Sequence, residues 1–179
     1  MMNPYAHFLE ADGRDALKVI SATPGKLRSL MKGLTPAQIK KRVRPDKWSI
    51  HEIVLHLADC ELMFASRCRL TAFDDRPFLQ PFNQEYWMTG KQREKESTAD
   101  AMTRFEVLRK SQLALYKALP KADFGRAGTH PERGEVTLRI TFETCAGHDL
   151  NHLGQIEALR TALTSRRPVA APKKKAAQA

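Results

Sequence analysis

The chain has 179 residues, a net charge of +10 and a hydrophobic fraction of 42%. This length suits one domain with a sizeable core and is short for two. No apolar run approaches the roughly 18–20 residues of a membrane span, and the N-terminus lacks the basic start and apolar core of a signal peptide. The three cysteines are odd in number, which argues against a disulfide framework. We therefore expect a cytoplasmic protein with reduced thiols and no membrane partner.

Part of the positive charge lies in the two arginines and three lysines of residues 166–179. The Ala, Pro and Lys composition of this segment predicts a disordered tail, which would attract phosphates weakly and without specificity. The chain has no zinc-finger signature and no basic stripe interleaved with aromatic residues. We therefore expect no specific nucleic-acid partner. The expected organisation is a lead-in over residues 1–14, one domain over residues 15–165, and the tail.

The first long apolar pattern begins at about Asp15 and ends at Gly33, since glycine is typical of a helix C-terminus. Thr23 and Pro24 in its middle are typical of a helix start, because threonine caps helices and proline suits the first turn. The pattern therefore predicts either one helix or two pieces with a break near Pro24. A second cap-like sequence, residues 35–38, predicts a short helix.

The next helix has the clearest start in the chain. Ser49 and Glu52 have the spacing of a capping box, in which each side chain bonds the backbone amide of the other residue. Trp48 and Ile53 occupy the positions of a hydrophobic staple, which fixes the angle at which the chain enters the helix. The apolar pattern continues to about Phe73.

A long connection follows over residues 74–97, and a loop of this length in a compact domain is often functional. Ser97 or Thr98 then caps a third long helix that ends near residue 119. A second connection covers residues 120–136.

The last helix is predicted over about residues 138–163. Alternating strand patterns are absent, and the β-prone stretch Val136–Phe142 is expected to join this helix or to give it a short extended entry. The pattern as a whole predicts an all-α fold, an antiparallel four-helix bundle with two long crossover connections.

Two histidines of the last helix, His148 and His152, are four residues apart and therefore lie on one helix face. They form part of a polar band in a face that is apolar at both ends, and such a band is unfavourable unless its groups are satisfied. A metal ion would satisfy them. The third ligand would be His56 on the capped helix, because facing helices of a bundle can converge on one metal. Three imidazoles with open coordination positions are typical of a catalytic metal site.

Each of these residues also has an ordinary structural interpretation. His56 could be a hydrogen-bonded core histidine, and the other two histidines could lie on a partly exposed helix surface. Cys60 and Cys145 are expected to be small buried hydrophobic residues. Cys145 precedes His148 by one turn, so it could also be a soft fourth ligand.

Three further side chains could surround or line the site. Glu61 could be a hydrogen-bond partner of a ligating histidine or an ordinary carboxylate at the bundle rim. Gln155 lies one turn beyond His152 on the same polar band. Trp87, in the first long connection, could line a pocket or pack the loop against the rest of the domain. We expect His51 to be solvated in the first helical turn and His130 to be an ordinary loop residue, or to line a pocket mouth.

Two stretches carry a resemblance to a known family. Residues 48–61, Trp-Ser-Ile-His-Glu-Ile-Val-Leu-His-Leu-Ala-Asp-Cys-Glu, resemble the first signature of the DinB/YfiT-like family of metal-binding four-helix bundles. Residues 148–156, His-Asp-Leu-Asn-His-Leu-Gly-Gln-Ile, resemble the second signature, and residues 130–134 resemble the stretch before the family's last helix. The resemblance covers most of residues 15–165.

The resemblance implies a divalent metal on His56, His148 and His152, in a cleft between the two helices that carry them. The family includes metal-dependent hydrolases, and transferases and isomerases that use low-molecular-weight thiols. In a hydrolase the metal would activate water, and in a transferase it would stabilise the thiolate of the thiol cofactor. Both activities act on a small-molecule substrate, and members of the family are commonly homodimers.

The sequence leaves the choice between these activities open. A thiol transferase needs a cationic groove, for which the connections offer Arg76, Lys91, Arg93, Arg126 and Arg133, although solvated loop charges are the ordinary interpretation. A non-catalytic metal-binding stress or interaction protein is the alternative to an enzyme, and a site sealed by a fourth protein ligand would favour it. Three neutral imidazoles suit Zn, Ni, Fe or Mn without strong selection.

Overall fold

A computed structural model of the chain describes residues 4–10, 15–90, 93 and 95–165. The predicted disordered tail, residues 166–179, lies outside the described residues. Among the helices of the described part, none is long and apolar enough to cross a membrane. The helices are α1 (Ala6–Glu10), α2 (Ala16–Met31), α3 (Pro36–Lys40), α4 (Ile50–Phe73), α5 (Gln84–Thr89), α6 (Thr98–Ala118) and α7 (Leu138–Thr164). A 3-10 helix (Lys121–Gly125) and two strands, β1 (Ala127–His130) and β2 (Gly134–Thr137), precede α7.

The four long helices, α2, α4, α6 and α7, pack into the predicted four-helix bundle with two long connections, which confirms the fold class. Helices α4 and α6 run in the same direction, because His51 near the start of α4 contacts Thr98 at the start of α6, and Arg69 near the end of α4 contacts Ser111 in the second half of α6. The first connection, residues 74–97, therefore traverses the length of the bundle.

Helix α2 is continuous through Pro24, so the predicted alternative of two pieces is wrong. A proline inside a helix has no N–H for the carbonyl of the residue four positions earlier, which here is Ile20. That carbonyl instead accepts a hydrogen bond from the buried guanidinium of Arg109, at 2.9 Å. The helix survives because a long-range donor replaces the missing one and because Val19, Ile20 and Leu27 are buried in the core.

The start of α4 has the predicted capping box. The Glu52 amide donates to the Ser49 hydroxyl at 3.3 Å, and the Ser49 amide donates to the Glu52 carboxylate at 2.8 Å. Trp48 and Ile53 both pack in one hydrophobic cluster, as expected for a staple. These contacts fix the register of α4, which sets where the rings and thiols on its buried face point.

A two-stranded antiparallel hairpin precedes α7, although the sequence has no alternating strand pattern there. Strands β1 and β2 pair from Ala127 opposite Thr137 to His130 opposite Gly134, and Gly134 has the positive φ of +68° that the tight turn requires. Val136 lies in β2 just before α7, which agrees with the predicted short extended entry to this helix. The residues of β1 have no strand signal of their own, and their pairing with β2 and with Phe78 holds them extended.

Two hydrophobic clusters fill the bundle. One joins α2, α4, α6 and the C-terminal half of α7 around Leu27, Phe105 and Ile156. The other joins the N-terminal half of α7 to α2 and α4 around Ile20 and Phe142. A band of buried polar side chains lies on the inner faces of α4, α6 and α7.

Candidate metal centre

Three buried histidines meet between α4 and α7. His56, His148 and His152 are 2%, 4% and 5% exposed. The Nε2 atom of His148 lies 3.0 Å from Nε2 of His56 and 3.1 Å from Nε2 of His152. The two helices thus bring together the three side chains predicted as metal ligands, with their Nε2 atoms converging. Their role as ligands stays a prediction.

A fourth donor, Cys60, lies beside the histidines. Its Sγ is 3.4 Å from Nε2 of His56, and the donor atoms of His56, Cys60 and His148 all lie within 4.8 Å of one another. His152 adjoins this group through His148. Cys60 is buried as expected, and its sulfur also lies among the donor atoms of the cluster. The signal that could have found it is its spacing, one turn after His56 on the same face of α4.

Burial keeps the three imidazoles neutral. Removal from water, together with the neighbouring His152 and Arg93, lowers the pKa of His56 to about 3. Burial also lowers the pKa of His148 well below its ordinary value, and that of His152. Burial raises the pKa of the Cys60 thiol, which therefore stays protonated when no cation is present. Neutral imidazoles are the form that binds a metal.

Gln155 determines which nitrogen of His152 faces the cluster. Its Oε1 atom lies 2.9 Å from Nδ1 of His152, and an amide oxygen can only accept, so the hydrogen of the neutral ring is on Nδ1. The Nε2 lone pair of His152 then points at His148. Such a hydrogen bond is typical of metal-ligating histidines, because it fixes both the tautomer and the ring orientation.

The donor set fits a divalent metal. A tetrahedral site with metal–nitrogen bonds of about 2.0–2.1 Å places its nitrogens about 3.3 Å apart, close to the 3.0 and 3.1 Å found here. A single hydrogen on Nε2 of His148 can serve only one of its two nitrogen contacts well. A cation would instead accept the lone pairs of all three rings.

Two aromatic rings cover the cluster. The Trp48 ring lies 4.9 Å from the ring of His56, and the Tyr5 ring meets that of His148 edge-on at 5.4 Å. Tyr5 belongs to the segment expected to be a lead-in, and its backbone packs so closely on Gly147 that a Cβ there would lie 2.6 Å from the Tyr5 carbonyl oxygen. The N-terminal segment therefore forms part of the wall of the site.

A cavity of about 720 Å³ opens onto His152. Its apolar side is formed by Trp48, Ile53, Met88 and Leu159. Its polar side chains include Arg42, Lys47, Glu52 and Gln155. The mixture suits a small ligand with an apolar part held near the histidines.

Glu61 and Cys145 belong to a neighbouring buried network rather than contacting the histidines. Arg109, which is 1% exposed, donates to Glu61 at 2.7 and 2.9 Å and to Asp149 at 2.6 and 3.2 Å. Cys145 Sγ lies 3.5 Å from the same guanidinium. Burial alone would lower the pKa of Arg109, but the charges around it raise the pKa well above its ordinary value. This network ties α4, α6 and α7 together at positions next to Cys60 and His148.

Trp87 does not line the cavity. It packs on Phe82 with a ring distance of 4.9 Å and is 37% exposed, whereas its neighbours Glu85, Met88 and Thr89 face the cavity. His51 was expected to be solvated, but it is 9% exposed and its Nδ1 lies 2.8 Å from the Thr98 hydroxyl. The reason is the parallel packing of α6 over the start of α4.

The arginines considered for a cationic groove are dispersed. Arg93 pairs with Asp59 and Glu96, and Arg126 donates to the carbonyls of Thr71 and Asp74 at the end of α4. Of the five residues considered, Lys91 lies outside the described residues, and Arg133 lines a second cavity together with His130.

Comparison with known proteins finds relatives that are named as candidate metal-dependent hydrolases. YfiT of Bacillus subtilis, named as a candidate metal-dependent hydrolase, is 24% identical over 147 residues, which cover 80% of this chain and 81% of YfiT. A candidate metal-dependent hydrolase of Geobacillus kaustophilus is 26% identical over 163 residues, with 86% of each chain covered.

The solved structure of YfiT, described as an unusual four-helix-bundle topology, matches with a TM-score of 0.75 at 23% identity, over 80% of this chain and 83% of YfiT. This likeness shows the fold. The profile of the DinB superfamily matches residues 20–156, a span that contains all three clustered histidines. The chain therefore belongs to the DinB superfamily.

Proposed function

We propose that this protein is a metal-dependent hydrolase of a small-molecule substrate, with one divalent metal held by His56, His148 and His152. The observation that carries the proposal is the convergence of three buried, neutral imidazoles at nitrogen distances of 3.0 and 3.1 Å, beside a cavity that reaches His152. The names of the relatives, which describe metal-dependent hydrolases, support it.

Three histidines leave a coordination position for substrate or water. A divalent metal held by the three histidines would polarise a carbonyl and would lower the pKa of a coordinated water to about 7. Zn, Ni, Fe and Mn are all compatible with imidazole ligands. The protein's own side chains have separate tasks: Gln155 keeps the Nε2 lone pair of His152 directed inward, and Trp48 shields His56 from water.

Whether Cys60 binds the metal distinguishes the proposed hydrolase from the non-catalytic alternative. A thiolate from Cys60 would add a fourth protein ligand and close the coordination sphere, as in a structural metal site. A hydrolase instead needs the fourth position open. In our proposal the Cys60 thiol remains beside His56 without holding the metal.

The test is elemental analysis combined with a hydrolysis screen of ester and amide substrates. We compare the protein with His148→Ala, Cys60→Ala and His7→Ala, the last being a control for loss of an exposed histidine. We expect about one equivalent of metal and metal-dependent hydrolysis in the protein, Cys60→Ala and His7→Ala, and neither in His148→Ala. Loss of metal from Cys60→Ala as well, without hydrolysis of any substrate, would instead support a closed, non-catalytic site.

A low-molecular-weight thiol is the remaining variable of the screen. Each substrate is assayed with and without added thiol. Turnover that requires the thiol, and that yields a thioether or thioester product, would make the protein a thiol-dependent transferase rather than a hydrolase. Turnover that is independent of thiol supports hydrolysis.

A further inference from the structure

A second cavity, of about 610 Å³, lies on the side of the cluster that Tyr5 covers. It is lined by Tyr5, Arg67, His130 and Arg133, together with residues 81–85 and Glu132. Glu85 lines both this cavity and the one that opens onto His152, so the two cavities adjoin. Tyr5, which lines this cavity, contacts His148, so the Tyr5 side chain lies between the cavity and the histidine cluster.

Arg67 is a partly buried cation with an unused donor. It lies on α4, two turns after Cys60. One terminal nitrogen donates to the carbonyl of Gln80 at 2.6 Å and lies 3.5 Å from Nε2 of His130. Its Nε atom is buried and has no hydrogen-bond partner, and no carboxylate within the described residues forms an ion pair with Arg67. A buried, unsatisfied donor on a charged group costs free energy, so its presence needs an explanation.

The other lining groups do not neutralise Arg67. Arg133 is also partly buried, and its charge adds to burial in lowering the pKa of Arg67. His130 is 5% exposed, and its Nδ1 accepts from the Glu132 amide at 3.2 Å. Burial lowers the pKa of His130, so it contributes no full charge at neutral pH.

The acidic residues of this cavity lie at its rim. Glu85 and Glu132 are both exposed, whereas Arg67 and Arg133 are not. The inner part of the cavity is therefore cationic, and its opening carries negative charge. This arrangement disfavours a dianion, which the rim would repel, and suits a single carboxylate that enters far enough to reach Arg67.

We propose that this cavity binds the carboxylate of a small-molecule monoanion through Arg67 and Arg133. A guanidinium bonds a carboxylate through charge-assisted N–H donors, and the terminal nitrogens of Arg67 and Arg133, the two arginines that line the cavity, would supply them. The proposal deepens the hydrolase assignment, on which it rests, by naming the substrate class as a carboxylic acid derivative that keeps one free carboxylate. The bond to be cleaved would then lie toward the histidines.

The test measures binding of benzoate to the full chain by saturation-transfer NMR at constant ionic strength, with and without bound zinc. Benzamide serves as the uncharged isostere. Inorganic phosphate, the more highly charged anion, has no non-exchangeable proton, so its binding is measured by its displacement of benzoate. In a ¹⁵N-labelled sample, the Arg67 Nε–H resonance is identified by its absence from Arg67→Gln. We expect saturable benzoate binding that shifts this resonance, and no shift with benzamide.

The variants Arg67→Gln and Arg133→Gln should each weaken benzoate binding about tenfold, because each removes a charge-assisted hydrogen-bond donor. Lys110→Gln, which removes one exposed charge from α6, should leave binding unchanged. Circular dichroism establishes whether each variant is folded. If Arg67→Gln does not fold, the comparison rests on Arg133→Gln.

The proposal would be overturned by benzoate binding that survives both arginine substitutions, by tighter binding of phosphate than of benzoate, or by the absence of saturable binding. Benzoate binding that requires zinc and is lost in His148→Ala would place the carboxylate on the metal and would also overturn it. The titration without zinc does not depend on the hydrolase assignment. A protein that binds benzoate at Arg67 but lacks metal and turnover would refute that assignment alone.

Discussion

A single side-chain amide, that of Gln155, sets the chemistry of one ring in the histidine cluster. Its oxygen accepts from Nδ1 of His152 at 2.9 Å and leaves the Nε2 lone pair facing His148. The ring of His152 can otherwise adopt either tautomer, and the wrong tautomer would direct an N–H at the proposed metal position. In the proposed site the amide would thus act through the histidine without contacting the metal.

Gln155→Ala should weaken metal affinity by about 10- to 100-fold, the usual effect of removing a hydrogen bond that orients a ligating histidine. Gln155→Glu should restore most of the affinity, because a carboxylate also accepts from Nδ1. Competition titration with a chelating indicator measures both variants. Equal affinity in the protein and in Gln155→Ala would show that His152 is oriented by other contacts.

Burial of His51 makes the free energy of unfolding depend on pH. Burial lowers its pKa below the value of 6.5 expected in the unfolded chain, with Lys40 and Arg93 also lowering it and Glu52 and Glu96 raising it. The folded state then binds fewer protons than the unfolded state, so the neutral ring's contribution to stability is present above pH 6.5 and is lost as the pH falls below it.

The difference in free energy of unfolding between the protein and His51→Asn should therefore shrink as the pH is lowered from 7.5 to 5. Urea denaturation at each pH measures it, with His7→Asn as the control at an exposed histidine. A difference that stays constant across this range would mean that protonation of His51 costs nothing.

Helix α2 depends on a residue of another helix. Pro24 removes the backbone donor for the Ile20 carbonyl, and Arg109 from α6 supplies one. The same guanidinium holds Glu61 on α4 and Asp149 on α7. One side chain therefore joins the four long helices, at the level of the bundle where the histidines lie.

Arg109→Met should destabilise the protein by about 3–5 kcal/mol, because it leaves two buried carboxylates without a counter-charge. The matched control is Arg28→Met, which breaks the exposed pair with Glu106 and should cost much less, because solvent screens that pair. Urea denaturation at pH 7.5 measures both. Similar losses in the two variants would show that the buried network contributes no more than a surface ion pair.

The two hydrophobic clusters should hold the bundle together without its proposed metal. Each cluster draws on at least three of the four long helices, and neither requires the histidines for its contacts. A domain of this kind differs from a zinc finger, which has no sufficient core without its metal.

Removal of metal by a chelator should therefore leave the helical circular dichroism spectrum intact and lower the midpoint of thermal unfolding. A ligand that binds only the folded state adds about 4 kcal/mol to the free energy of unfolding when its free concentration is about 1,000 times its Kd. His148→Ala should show the lower midpoint without chelator and should not respond to added metal. Complete unfolding of the chelated protein would identify the site as structural.

The local features of this chain were predictable because they depend on interactions within one or two helical turns. The capping box of Ser49, the cap at Ser97 and the one-turn spacing of His148 and His152 are of this kind. The order of the long helices and the family follow from them. The spacing of Cys60 from His56 carried the same local signal.

The remaining features required the tertiary structure, because they join residues that are far apart in the chain. The β1 segment is extended only through its partners, and Arg109 becomes buried only because carboxylates from two other helices and the Ile20 carbonyl meet it. Arg67 lines a cavity because the hairpin places Arg133 beside it. The sequence by itself determined the four long helices and the donors they carry. Only the packing of all helix faces at once decided which donors meet, since that packing depends on every apolar and charged contact together.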